Sequence, residues 1–372
     1  MNGETPRPGT TGPLLVRRRI SLGWALLAIL AIAFLALPFV VANEYVLHIL
    51  TMIFLFGYLA TAWGLVGQTG QLSFGHAAFL GIGGYTSTIL FMDYGVTPWL
   101  GMFVGAAVAV AVGLAIGYPT LRLRGPYFAL ATLAFGQILM TYVMNTDNLG
   151  PIHLRGALGL VLPIVNSGDA PEVFQFPSKT PYYFIALCML TIAVGLSYLL
   201  NRSRTGLYWA AIRGDQDAAE SLGIDAPRYR LLAMLISVAL TAFAGTFYAQ
   251  FFYYINAERG MGLSMSIEIA MMGVVGGWQT VLGPLMGAVV LTPVSEIIRA
   301  RLGGSLPGLH LLLYGLLLMA VILWLPGGLN DPVLRAVRWI EAKIWPRVGL
   351  PLKEVQAPIT DTSGDGGLEQ AR

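Results

Sequence analysis

The chain has 372 residues, a formal net charge of +3, 56% hydrophobic residues and only 11% charged ones. Soluble domains carry about 25% charged residues, so this composition excludes a soluble globular protein and describes one that crosses a membrane many times. The small positive charge points to lipid headgroups, not nucleic acid. Its single cysteine, Cys188, excludes an internal disulfide and a CxxC metal site and reads as a small packed hydrophobe.

Residues 1–19 form a Gly-, Pro- and Thr-rich tail, expected to be disordered, that ends in Arg17, Arg18 and Arg19. The next stretch, to Ala42, has about 23 apolar residues, more than the 7–15 of a signal peptide, and predicts a retained first helix. The arginines hold the N-terminus in the cytoplasm. Apolar stretches suited to a core about 30 Å thick follow at 45–66, 74–92, 98–118, 126–144, 182–200, 231–256 and 309–325. The 266–298 segment is interrupted by GGWQTVLGP at 276–284 and is expected either to cross twice as two short helices or to re-enter. Two passes bring the count to about ten transmembrane helices, and the fold class is an all-α polytopic membrane protein.

The membrane-embedded body is expected over 20–326. It includes a 145–181 connection outside and a charged connection at 201–230 inside. Residues 327–346 predict an amphipathic helix on the inner leaflet, with Val333, Val337, Ile340 and Ile344 on one face. Residues 347–372 predict a disordered cytoplasmic tail, because the basic residues from Arg335 to Lys353 place the C-terminus inside as well.

The connection at 201–230 is the most informative segment. It holds five arginines and four acids, whereas the 48 residues from Tyr45 to Met92 hold no charged residue at all. Such an island must lie in water, where a soluble partner can grip it. On a helix from Gly206, residues Leu207, Ala211, Ala218 and Leu222 share a stripe about 60° wide, predicted to rest on the membrane body. Arg213, Asp217 and Glu220 project from the other side, Gly214 splits the helix, and Gly223 ends it.

A second polar feature is the break at 67–76. Glycines there loosen the helix while Gln68, Gln71, Ser73 and His76 bring polar groups to membrane depth. Such groups are tolerated only inside protein or beside a watery cavity, so they are candidates for lining a translocation path. The GxxxG spacings Gly101–Gly105 and Gly113–Gly117 read as helix-packing seams. Glu268 and Glu296 offer a proton-relay reading, and His48 and His310 read as isolated helix residues. No acid or histidine cluster has metal-ligand spacing, and no nucleophile–base arrangement stands out.

The chain has only three lysines, Lys179, Lys343 and Lys353, and none follows a glycine. A GxxxxGK[ST] phosphate loop is therefore excluded, and any ATP must bind another polypeptide.

The run SRTGLYWAAIRGDQDAAESLGI at 203–224 resembles the cytoplasmic coupling loop of the branched-chain amino acid ABC transporter permeases. Ser203, Arg204, Gly206, Ala211, Ile212, Arg213, Ala218, Ala219, Leu222, Gly223 and Ile224 fit the pattern, while Leu207 and Tyr208 replace its usual Arg-Ala. Three further blocks agree: GQTGQLSFGHAAFLGIGGYTS at 67–87, LRLRGPYFALATLAFGQ at 121–137 and GGWQTVLGPLMGA at 276–288. Gln137 stands where Glu is common, and Gln279 replaces a glycine.

The resemblance implies a non-enzymatic permease subunit in a bacterial cytoplasmic (inner) membrane. It would work with a homologous second permease, two cytoplasmic ATPase subunits that bind the ATP, and an external solute-binding protein. It would contact membrane lipid and no nucleic acid, and would bind no cofactor or metal. The implied ATPase-coupling residues are Ser203, Arg204, Gly206, Ala211, Arg213, Asp217, Ala218, Glu220 and Gly223. Candidate path residues are Gln68, Gln71, Ser73, His76, Thr132 and Gln137. Urea, short amides or other amino acids are alternative cargoes on the same architecture. An ion-coupled secondary transporter using Glu268 or Glu296 is the alternative of another class.

Overall fold

A computed structural model describes residues 34–39, 43–121, 123, 125–165, 170–302, 312, 315, 316 and 319. The expectations for the two tails, His310 and the interfacial helix at 327–346 lie outside the described residues, as do most of those for the first and last spans. Six predicted spans appear within five residues of their expected ends: α1 (Glu44–Gly67), α2 (His76–Tyr94), α3 (Pro98–Thr120), α4 (Pro126–Met144), α5 (Thr180–Arg202) and α8 (Ala226–Phe252). Between α5 and α8 lie the short helices α6 (Arg204–Gly214) and α7 (Gln216–Ser221). After α8 come α9 (Ala257–Met261), α10 (Leu263–Gly276) and α11 (Gly283–Leu302).

Five of these helices, α1, α3, α4, α5 and α8, are long and apolar enough to cross a membrane. Their roles differ. The core helix α1 is buried almost throughout, with Leu59, Ala60, Ala62, Trp63 and Leu65 fully enclosed. By contrast α3, α4 and α5 carry exposed Leu100, Phe103, Leu130, Ile138, Ile192 and Leu199. An apolar side chain facing outward costs nothing where lipid replaces water. Cys188 belongs to this outer wall: it is exposed on α5, not packed as its apolar surroundings predict.

The wall closes on the core through glycine. A Cβ on Gly245 of α8 would collide with the Leu80 carbonyl of α2, and one on Gly83 would collide with Ala242. The predicted GxxxG seams behave alike: a Cβ on Gly105 would come within 2.9 Å of the Gly83 oxygen, and Gly117 abuts Met234 and Leu231. Such close backbone approach supplies dispersion contacts where water drives nothing together.

The elements alternate between two ends of the bundle. At one end α1, α3 and α5 finish, α2, α4 and α8 begin, and the charged island sits. At the other end two-stranded pairings organise the 145–181 connection: β1 (Asn148–Leu149) with β2 (Ile152–His153), and β3 (Leu160–Val161) with β4 (Tyr254–Ile255) after α8. Trp99, at the start of α3, stacks on Phe174 of this connection at 4.3 Å and donates its Nε1–H to the Pro171 carbonyl at 2.7 Å.

The interrupted 266–298 segment is a tight hairpin of two helices. Gly276 lies against the Gly283 carbonyl and Gly287 against that of Met272, which explains the glycines of the motif. With 14 residues, α10 rises only about 21 Å at 1.5 Å per residue, short of a core about 30 Å thick. Trp278 in the turn packs edge-on to Trp63 at 6.4 Å and covers Gly67.

The hairpin's open end is pinned by charge. Arg299 Nη1 donates to Glu296 Oε1 at 3.1 Å, and its Nη2 stands 3.7 Å from Glu268 Oε2. Ser295 Oγ donates to Glu268 Oε1 at 3.1 Å. His48, which reads in sequence as isolated, stands 4.0 Å from Glu296 and stacks on Phe251.

Gly245→Ala is expected to drive α2 and α8 apart, at a cost of about 1–3 kcal/mol typical of overpacking. A thermal unfolding scan in detergent should show a clear drop in midpoint. Gly195→Ala, where a Cβ meets nothing within 4 Å, should not fall.

Candidate functional site

The break after α1 is built by a turn that only glycine takes without strain. Gly70 has φ +82°, in the left-handed region. Before it Thr69 Oγ1 donates to the Val66 carbonyl at 2.7 Å, and the Gly70 N–H bonds Gly67 O at 2.8 Å. The chain then crosses to the start of α2 at His76 without a side-chain cap. Neighbouring helices satisfy the backbone instead. Thr132 of α4 accepts from the Phe74 N–H at 3.1 Å, Ser266 of α10 accepts from the Ala77 N–H at 3.1 Å, and Trp63 Nε1 donates to the Ser73 carbonyl at 2.8 Å.

His76 ties this break to α1 and α8. Ser237 Oγ lies 2.6 Å from the Ala62 carbonyl, so the hydroxyl proton points there. Ser237 Oγ must then accept from His76 Nε2, 2.7 Å away. In a neutral ring this leaves Nδ1 as the acceptor for the Ser73 hydroxyl at 2.9 Å. The result is one directed chain, Ser73 to His76 to Ser237 to Ala62. Both ring nitrogens are taken by serine hydroxyls and all three side chains are buried, so the contact wires α1, α2 and α8 together.

Gln68, Gln71, Ser73 and His76 are all buried, as is Thr132. Gln71 differs from the others: among the described residues neither its Oε1 nor its Nε2 has a hydrogen-bond partner. Gln137 is half-buried on α4, and no hydrogen bond among the described residues joins it to the break.

The island divides at Gly214, as its sequence predicts. Asp215 caps α7, its Oδ1 accepting from the Asp217 and Ala218 N–H groups at 2.9 and 3.1 Å. Gly223 ends α7 in a Schellman turn: Ile224 N–H bonds Ala219 O at 3.1 Å and Gly223 N–H bonds Glu220 O at 2.9 Å. Arg204, Arg213, Asp217, Ala218 and Glu220 are exposed, Ser203 and Ala211 are half-buried, and Gly206 is buried.

The inward face is not the predicted stripe. Trp209, Ile212 and Ala219 are buried, and Trp209 Nε1 donates to the Tyr229 carbonyl at 3.0 Å. Leu207 and Leu222 point outward, 68% and 83% exposed. Within α6 the buried face runs through Gly206, Trp209 and Ile212, spaced three apart, which leaves Leu207 outside. Beyond Gly214 the helix axis breaks, so the same 100° projection does not carry on to Leu222.

Break and island meet. Asn201 Nδ2 donates to Gln68 Oε1 at 3.0 Å, and a Cβ on Gly70 would lie 3.3 Å from Arg213 Cα. Two regions more than a hundred residues apart are therefore one site. Asn201, Ser237, Ser266 and Trp63 complete it, and sequence reading missed them. The only signal available was a lone polar residue in an apolar run, as at Ser237. Among the described residues no three His, Cys, Asp or Glu side chains gather as a metal set.

The family described as branched-chain amino acid transport system / permease component matches residues 45–322. The high-affinity branched-chain amino acid transport system permease protein LivM of Salmonella typhimurium and that of Escherichia coli are each 30% identical over 324 residues, covering 82% of this chain and 74% of the relative. The nucleoside ABC transporter permease protein NupC of Lactococcus lactis is 23% identical over 64% of this chain and 76% of its own. No solved structure matches. With a match across both polar regions and the helices that hold them, the chain belongs to the permease-component family of branched-chain amino acid transport systems.

Proposed function

We propose that this chain is one permease subunit of an ATP-driven importer for branched-chain or related amino acids in the bacterial inner membrane. It pairs with a homologous permease, two cytoplasmic ATPases and an external solute-binding protein. Both termini and the island face the cytoplasm. The observation that carries this reading is the junction of Gly70 with Arg213. A motor that displaces the island pushes directly on the break between α1 and α2, with the Asn201–Gln68 bond as a second link.

The amino-acid cargo rests on the higher identity to the two LivM proteins; NupC is named for nucleosides, so the scaffold alone does not choose the solute. Gln68, Gln71, Ser73, His76, Thr132 and Gln137 border the path in this reading. The amide of Gln71, without a partner among the described residues, supports it, since a buried polar group without a partner costs about 1–3 kcal/mol and is relieved when water or solute arrives. ATP shifts the balance between two states only as far as it favours one of them, and the ATPases supply that bias through the island.

Gentle solubilisation of native membranes should recover ATPase chains with this subunit, and photoreactive ATP should label them and not this chain. Recovery as a lone transporter would sink the proposal. Asp217→Lys or Glu220→Lys should lower uptake severalfold while external solute capture is unchanged. Gly70→Val, which places a branched side chain at φ +82° beside Arg213, should leave the ATPases attached but cut uptake tenfold or more. Normal uptake in that variant would remove the junction from the mechanism.

A further inference from the structure

Leu222 is the most exposed of the large apolar side chains among the described residues, yet it does not belong to the outer apolar wall. It stands within 214–227, a stretch with four carboxylates, Asp215, Asp217, Glu220 and Asp225, and no lysine or arginine. Arg213 and Arg228 flank it. An anionic inner leaflet attracts basic segments and repels one of this kind, so lipid is the wrong contact for it.

The backbone that presents this side chain is held in place. Leu222 closes α7, with its N–H bonded to the Ala218 and Ala219 carbonyls at 3.2 and 3.1 Å. The left-handed turn at Gly223 (φ +86°) then sends Ile224 inward, against the cluster of Ile212, Ala219 and Ala226. The same turn leaves Leu222 outside. Asp225 Oδ1 fixes the far side by accepting from the Arg228 N–H at 3.1 Å. An apolar group on a fixed backbone and flanked by charges has the layout of an apolar interface centre with a polar rim, and little backbone ordering entropy is lost on docking.

We propose that Leu222 is an apolar anchor that enters an apolar socket with a basic rim on the ATPase partner, where the carboxylates of the 214–227 stretch meet that rim. This inference rests on the proposed function and adds to it the polarity of the docking surface and the side chain at its centre. The apolar contact resists dissociation, whereas the carboxylates act through a field that salt screens. The two contributions are therefore separable by ionic strength.

The test uses the full chain co-expressed with its ATPases and purified in mild detergent at about 0.1 M and 0.5 M salt, either side of the range where the Debye length shrinks from about 10 Å to near 4 Å. The readout is ATPase recovered per permease. Leu222→Asp should lower recovery tenfold or more at both salts, and Leu222→Ala severalfold at both. Glu220→Gln should differ from wild type at low salt and converge with it at high salt. Because Leu222 is exposed in the free chain, both Leu222 variants should keep the wild-type unfolding midpoint. Wild-type recovery in Leu222→Asp overturns the anchor even when Asp217→Lys loses the ATPases and the wider reading stands. Reduced flotation of Leu222→Asp with phosphatidylglycerol vesicles, with ATPase recovery unchanged, assigns the side chain to lipid and also overturns it. Failure of the wild-type chain to recover any ATPase defeats the proposed function itself.

Discussion

Inside an apolar bundle there is no water to satisfy a backbone group released from a helix, so every such group must find a partner in the protein. The break between α1 and α2 is shaped by that constraint. It survives because Thr132, Ser266 and Trp63 reach it from α4, α10 and α1, and because His76 bridges Ser73 and Ser237 with both ring nitrogens. Each partner lies on a helix whose own position depends on close packing. The glycines of α2 and α8 bring Ser237 within 2.7 Å of His76. Packing and polarity are thus coupled, and loosening one orphans the other.

Charge is distributed by the same logic. At one end a dense set of charges stays in water on α6 and α7, attached to the bundle through Trp209 and Ile212. At the other end Glu268, Glu296 and Arg299 are partly sequestered and bind the α10–α11 hairpin together, with His48 of α1 alongside. The carboxylates that an ion-coupled transporter would need for its ion are already engaged there by Arg299 and Ser295. Glycine permits the hairpin, and the ion pairs hold its ends in register.

The joining of island and break has a mechanical consequence. The glycine turn that follows α1 stands directly against Arg213, with the Cβ position of Gly70 3.3 Å from Arg213 Cα and 3.5 Å from its Cγ, which leaves little slack between them. Densely packed interiors are poorly compressible, and α1 is buried along nearly its whole length. In the proposed mechanism this is the route by which motion at the island reaches α1, the most enclosed of the membrane-length helices among the described residues.

Much of this was legible along the chain. Apolar runs of membrane length marked six helices within five residues, and the charge count marked the island. The glycine at 214 predicted a split, Gly223 a terminus and GGWQTVLGP a hairpin, because these signals are local backbone chemistry. What faced what was not legible. The stripe through Leu207 and Leu222 reads as inward, but α6 buries the face of Gly206, Trp209 and Ile212, and the break at Gly214 separates Leu222 from that projection. His48 with Glu296, His76 with Ser237 and Gly70 with Arg213 meet only across long separations. In an apolar chain nearly every helix face is hydrophobic, so periodicity carries little information about neighbours. Composition and local backbone preferences decided that the chain crosses the membrane, where it turns and where its charges lie. Only tertiary packing, through glycine contacts and the need to pair each buried polar group, decided that its two polar regions form one site.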